Sequence, residues 1–327
     1  MDIRDRIKGS FIGLCFGAGV NPRIPIYDSG KLRMPSMNTP EEARAKYRNK
    51  SFDEIPRDYK LYDNYTQPVM ICEMLFRYGE VTPEIFKDYL LELHKKYDVF
   101  KGDVYGPSTQ RAINGILAGE DIYQMGRKGI TCGSAMRSLP IAMYFYNDEE
   151  KLIKNTVGAN IVSHNTDVAI DAAIACNITL ASLLKGKEKF DAINDGIAAA
   201  KKCHGKFGEK TAEPMINEKI KDAVISVKGK TLEEAMYIIP EKAGVSWFAR
   251  ETIPGAYANY AVTDTPEGSS LLSMYCGGDT QTVPEIACAF MGAEKGDGIF
   301  SEKIISKIEK ANTVKIYEMA EKLAERA

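Results

Sequence analysis

The 327-residue chain predicts an all-α fold, a compact orthogonal multi-helix bundle forming a single domain over residues 1–327. Three observations carry this expectation. Apolar residues recur at helical spacing along most of the chain, strand-like alternation is nearly absent, and no Pro/Gly/Ser-rich linker or charge block divides it.

Ile3, Ile7, Phe11 and Leu14 place one apolar face on the first helix at i, i+4, i+8 and i+11. Residues 20–60 hold Pro22, Pro25, Pro35, Pro40 and Pro56 with several charges and read as a long loop, of the kind that is a lid or disordered. A polar turn over 61–68 then opens a helix over 69–78. Thr82-Pro83-Glu84 signals the start of a helix whose face is Ile85, Tyr89 and Leu93. Further helices are expected over 109–117, 134–146, 149–162, 167–184, 190–203, 216–227, 232–239, 248–257, 283–291 and 302–323, with Pro140 kinking or ending the second of these. Residues 168–184 are the most apolar stretch, but Asp171, Asn177 and Thr179 interrupt it and make it a central core helix rather than a membrane span.

Hydrophobic residues make up 44% of the chain, enough for a large core. A formal net charge of -2 supplies no global attraction to nucleic acid or anionic membrane, so neither is an expected partner. Runs such as Lys185-Gly186-Lys187-Glu188-Lys189 read as solvated loops. The seven cysteines (15, 72, 132, 176, 203, 276 and 288) are odd in number and form no CxxC pair, which points to buried reduced thiols. The segment Met1-Asp2-Ile3-Arg4-Asp5-Arg6 has no apolar signal-peptide run, and the cytoplasm is the expected compartment.

Two polar turns carry the chemistry. In Cys276-Gly277-Gly278-Asp279-Thr280-Gln281-Thr282 the glycines let the backbone bend, and the residues after them offer hard oxygen ligands before the apolar run 283–291. A helix N-cap by Asp279 or Thr280 is the plainer alternative there. The other turn is Leu61-Tyr62-Asp63-Asn64-Tyr65-Thr66-Gln67-Pro68. At these two places the chain resembles the ADP-ribosylglycohydrolase family, whose members carry Thr-Asp-Asp-Thr-Gln and Gly-Gly-Asp-Thr-Asp-Thr and hold a pair of magnesium ions between them. Asn64, Tyr65 and Gln281 stand at degenerate metal positions, where the family usually has carboxylates. The opening stretch 5–14, the loops 105–109 and 129–137, Ser163-His164 and the segment 250–256 extend the resemblance over nearly the whole chain, although Gly17-Ala18 stands where Gly-Asp is common.

The resemblance implies an all-α bundle of the ADP-ribosylglycohydrolase type. It also implies a hydrolase that cleaves a ribosyl N- or O-glycosidic bond of an ADP-ribosylated or nucleoside-like substrate, either a ribosylated small molecule or an ADP-ribosylated protein. Asp63 and Asp279 are the candidate catalytic residues. A magnesium pair needs several carboxylates, so a two-metal centre is not expected; Asp63, Asp279 and Thr282 suffice for at most one weakly held Mg2+, with Asp103 a further acid. Gly133 and Ser134 fall where the family holds the phosphates of ADP-ribose, and His164 where its Thr-His residue approaches the ribose. Tyr105, Gly106, Pro107 and Ser108 form a second wall, Tyr275 or Trp247 offers a ring for a base, and Arg137 is expected to pair with an internal carboxylate. Three readings stay open: hydrolysis with one metal, metal-free hydrolysis with Asp63 or Asp279 as general base, and ligand binding without turnover. Structural reuse is a further alternative, since a lens crystallin also resembles this family.

Overall fold

The computed structural model describes residues 1–22, 38–97 and 105–326. Among these residues there are seventeen α-helices. The first nine are α1 Ile3–Val20, α2 Pro40–Tyr47, α3 Asp63–Tyr78, α4 Pro83–Tyr97, α5 Pro107–Leu117, α6 Ile122–Met125, α7 Gly133–Phe145, α8 Glu149–His164 and α9 Asp167–Leu184. The others are α10 Lys189–Cys203, α11 Ile216–Val227, α12 Leu232–Lys242, α13 Ala249–Val262, α14 Pro266–Cys276, α15 Thr282–Lys295, α16 Glu302–Asn312 and α17 Ile316–Ala324. No strand forms among the described residues; two isolated bridges, Thr131 with Phe248 and Thr166 with Glu209, pin loops together.

At the centre lies α9, buried along its whole length. It is long and apolar enough to cross a membrane by composition alone, yet its polar residues are spent inside the fold. Asn177 donates to the Thr156 hydroxyl at 2.8 Å, Thr179 meets the Tyr257 hydroxyl at 2.6 Å, and Asp171 meets His204 Nδ1 at 2.8 Å. These bonds offset the cost of burying polar groups, while each buried Ile or Leu on the helix contributes about 1.5–3 kcal/mol.

The pairing of α1 with α15 sets the position of the second polar turn. A Cβ on Gly13 would stand 2.2 Å from the Cys288 carbonyl oxygen, and one on Gly17 would stand 2.2 Å from that of Pro284. Only glycine lets the two backbones approach this closely. The C-terminal end of α1 is thereby brought beside the turn that opens α15.

Four expectations need correction. The loop over 20–60 contains α2, whose Thr39 hydroxyl accepts from Glu42 N at 3.2 Å while the Glu42 carboxylate accepts from Thr39 N at 2.9 Å. This capping box outweighs the local abundance of proline; residues 23–37 of that stretch, and Asp103, lie outside the described residues. The polar turn at 61–68 is itself helical, because Pro68 falls within the first two turns of α3 and removes only the amide that would have bonded the Asn64 carbonyl. Pro140 lies inside α7 without ending it. Finally, 302–323 divides into α16 and α17 at Thr313, which adopts φ 56°.

Candidate functional site

Asp279 is fixed by the starts of three helices. Gly277 and Gly278 take φ values of 76° and 70°, and a Cβ on Gly278 would lie 1.9 Å from the Val245 carbonyl oxygen, so the turn requires glycine there. Asp279 Oδ1 accepts from Thr282 N at 2.9 Å and Gln281 N at 3.4 Å. Its Oδ2 accepts from the Cys132 thiol, just before α7, at 3.4 Å; the Thr252 hydroxyl in α13 also lies 3.4 Å away, but its hydrogen goes to the Ser246 carbonyl at 2.6 Å. Burial, with the nearby Asp279 charge, pushes the Cys132 thiol well up, so it stays a protonated donor. The N-cap of α15 is Gln281 rather than Asp279 or Thr280, yet Asp279 Oδ1 satisfies the amides that open the helix, which consumes one oxygen of the carboxylate.

Asp63 is the first residue of α3, and its Oδ2 accepts from Gln67 Nε2 and from Gly106 N, both at 3.2 Å. Its neighbour Asn64 crosses to the second turn. The Asn64 amide nitrogen lies 2.5 Å from Glu285 Oε2 and 3.4 Å from Thr282 Oγ1. Glu285 was hidden in the run read as apolar, and it is wholly buried with Oε1 unpartnered. Burial, reinforced by the Asp279 and Asp63 charges and opposed by the Asn64 hydrogen bond, holds its carboxyl well above the usual range, which favours the protonated form.

The other degenerate positions also serve the fold. Tyr65 belongs to the main apolar core. Gln281 turns its amide to the Ala18 and Asn21 carbonyls at the end of α1, each at 3.4 Å. The family's magnesium pair does not fit this donor set. An amide NH2 points at the oxygens of Thr282 and Glu285, where a cation would need lone pairs, and among the described residues no three His, Cys, Asp or Glu side chains converge as a metal-binding group.

A second cluster joins α5, α7 and α8. Gly133 opens α7 against His164, whose Nε2 would lie 3.2 Å from a Cβ there. His164 ends α8 rather than standing in a free turn, and it is buried. Its Nε2 is 2.8 Å from Thr131 Oγ1, and its Nδ1 is 2.8 Å from Ser163 Oγ and 3.3 Å from Arg137 Nη2. Burial, with the Arg137 and Arg111 charges, holds the ring well below the ordinary histidine range. Ser108 Oγ accepts from Thr131 Oγ1 at 3.3 Å and from Arg111 Nη2 at 3.2 Å, while Ser134 donates to the Thr131 carbonyl at 3.4 Å.

Arg137 departs from expectation, since among the described residues no carboxylate lies within ion-pair distance of it. It donates to Ser163 Oγ at 2.6 Å and Thr109 Oγ1 at 3.1 Å, and sits 5.1 Å from the Phe86 ring centre. Desolvation lowers its guanidinium to about 9 despite the opposing field of Asp63. Trp247 reaches the cluster through its carbonyl, which accepts from Cys132 N at 2.8 Å. Tyr275 is not brought to these residues: it packs with Tyr47 and Ile55 and donates to the Lys50 carbonyl at 2.9 Å.

The model of the ADP-ribosylglycohydrolase family matches residues 1–327. The chain belongs to the ADP-ribosylglycohydrolase family. This family member is 24% identical over 254 residues to the uncharacterized protein YegU of Escherichia coli K12, a match covering 77% of this chain and 76% of that protein. It is 23% identical over 236 residues to an uncharacterized protein of Archaeoglobus fulgidus, covering 71% and 70% of the two. A solved structure described as an ADP-ribosylglycohydrolase-related protein complex superposes with a TM-score of 0.65 at 21% identity, covering 98% of this chain and 96% of that one. At that identity the likeness speaks for the fold alone. The all-α architecture agrees with it.

Proposed function

We propose that this ADP-ribosylglycohydrolase family member hydrolyses the ribosyl glycosidic bond of an ADP-ribosylated small molecule or protein, and does so without a magnesium pair. The observation that carries this reading is the meeting of two polar sites. The turns bearing Asp63 and Asp279 are joined through Asn64, and the Gly106 amide that holds Asp63 belongs to the N-terminus of α5. Ser108 in that same helix receives Thr131, just ahead of α7.

Each part answers a demand of the chemistry. Cleavage at the anomeric carbon builds oxocarbenium-like positive charge and needs an activated water, for which a pair of carboxylates suffices. Asp63 and Asp279 are the pair assigned here. Asp279, held by the Gln281 and Thr282 amides and the Cys132 thiol, is the fixed negative charge, and Asp63 is the general base. The N-termini of α5 and α7, with Arg111 beside them, offer partial positive charge and amide donors suited to a diphosphate. Gly133 and Ser134 supply the small residues that let such a group approach.

Binding without turnover is a second reading, and the hydrogen bonds that Asp63 Oδ2 accepts from Gln67 Nε2 and Gly106 N favour it: a carboxylate oxygen engaged by two N–H donors is a poorer base. The two are separated by incubating the protein with ADP-ribosyl conjugates and nucleosides while measuring both ADP-ribose affinity and release of the free sugar. Release supports hydrolysis. Affinity with no release from any conjugate selects the binding protein.

A further inference from the structure

We propose that His164 is a positioning residue which, through Thr131, presents the Ser108 hydroxyl hydrogen to the ligand, making Ser108 the donor that selects an unprotonated oxygen, phosphoryl or carbonyl, on the substrate. This rests on the reading of the site as a ribosyl-ligand pocket.

The direction of every hydrogen in the cluster follows from two guanidinium groups, which only donate. Arg137 Nη2 is 3.3 Å from His164 Nδ1, so that nitrogen accepts. Ser163 Oγ, which takes a hydrogen from Arg137 Nη1 at 2.6 Å, turns its own toward the same Nδ1 at 2.8 Å. The neutral ring must then carry its single proton on Nε2. Nε2 donates to Thr131 Oγ1 at 2.8 Å, and Thr131 spends its hydrogen on Ser108 Oγ at 3.3 Å.

Ser108 is where the chain of donors ends. Its oxygen receives two hydrogens, from Thr131 and from Arg111 Nη2, and among the described residues no acceptor takes the hydrogen it carries. A buried hydroxyl hydrogen left without an acceptor is unfavourable, and a ligand acceptor would recover that cost. Ser108 stands in the first turn of α5, two residues after Gly106, whose amide holds Asp63 at 3.2 Å. The first turn of α5 thus carries both the donor and the amide that holds the candidate general base. Reversing the relay would require a proton on Nδ1 facing the Arg137 guanidinium, which that contact excludes.

Two measurements test the relay. In protein labelled with 15N at histidine, His164 is expected as the neutral Nε2–H tautomer at neutral pH; an Nδ1–H tautomer or an imidazolium there would overturn the proposal. Calorimetry with ADP-ribose should show about tenfold weaker binding for Ser108→Ala and for Thr131→Val, with melting temperatures near that of the parent. His164→Gln, which keeps a donor near the Nε2 position, should bind within about threefold of the parent, whereas His164→Leu should match Ser108→Ala. Parent affinity in both Ser108→Ala and Thr131→Val would overturn it. A parent protein that does not bind ADP-ribose would count against the functional reading instead, and the tautomer would still decide the relay.

Discussion

The Asn64 amide donates to the Glu285 carboxyl across 2.5 Å and so ties the first turn of α3 to that of α15 in wholly buried surroundings. If the raised carboxyl of Glu285 is protonated there, its carbonyl oxygen acts as a plain acceptor, and the bond behaves as one between two amides. Glu285→Gln should therefore change the unfolding free energy by less than about 1 kcal/mol. Asn64→Ala leaves the acid without its partner and should cost about 1–3 kcal/mol, read by urea denaturation. Equal losses for the two variants would show that Glu285 is ionised.

Asp279→Asn keeps an Oδ1 acceptor for the Thr282 amide, so the turn should fold, but it removes the charge. If the chain is a hydrolase, turnover should fall by roughly two to three orders of magnitude, the scale of losing one electrostatic stabiliser of the transition state. Full turnover by the Asp63→Asn, Asp279→Asn double variant would remove this pair from the mechanism.

Gly133 has a neighbour that limits what can replace it. A Cβ would sit 3.2 Å from His164 Nε2 and 3.4 Å from Arg137 Nη2, so Gly133→Ala presses on the relay without striking backbone. ADP-ribose affinity should weaken by about tenfold while helicity and melting temperature stay near those of the parent. A matching loss of folding would make Gly133 a structural residue only.

Asp171 gives a pH signature remote from the site. Burial raises its carboxyl from 3.8 to about 6, partly offset by the hydrogen bond and charge of His204. The folded state thus holds the proton more tightly than the unfolded chain does. That stabilisation is complete below the unfolded value near 4 and is lost as pH rises through about 6, a change of up to about 3 kcal/mol. The stability difference between the parent and Asp171→Asn should shift against the parent by that amount between pH 4 and pH 7. A flat difference would mean the carboxyl titrates normally.

The helices were legible because their apolar faces are local and periodic, as at Ile3, Ile7, Phe11 and Leu14. Both polar turns were legible for the same reason, since each is a contiguous string of residues. What the string could not reveal is which distant group each side chain meets. Glu285 is isolated in an apolar run and acquires meaning only from Asn64, 221 positions away. Cys132 holds Asp279 from 147 positions away, and a cysteine does not mark itself as a carboxylate donor. Gln281 likewise looks like a lost ligand in sequence and proves to bond the end of α1. A lone carboxylate inside an apolar helix was the one available signal, because such a group is almost never buried without a partner.

The account turns on the claim that these turns, with Asn64 bridging to Thr282 and Glu285, do not hold a magnesium pair. Calorimetric titration of chelator-treated protein with magnesium or manganese tests it directly. The account predicts at most one weak site. Two tight sites would contradict it.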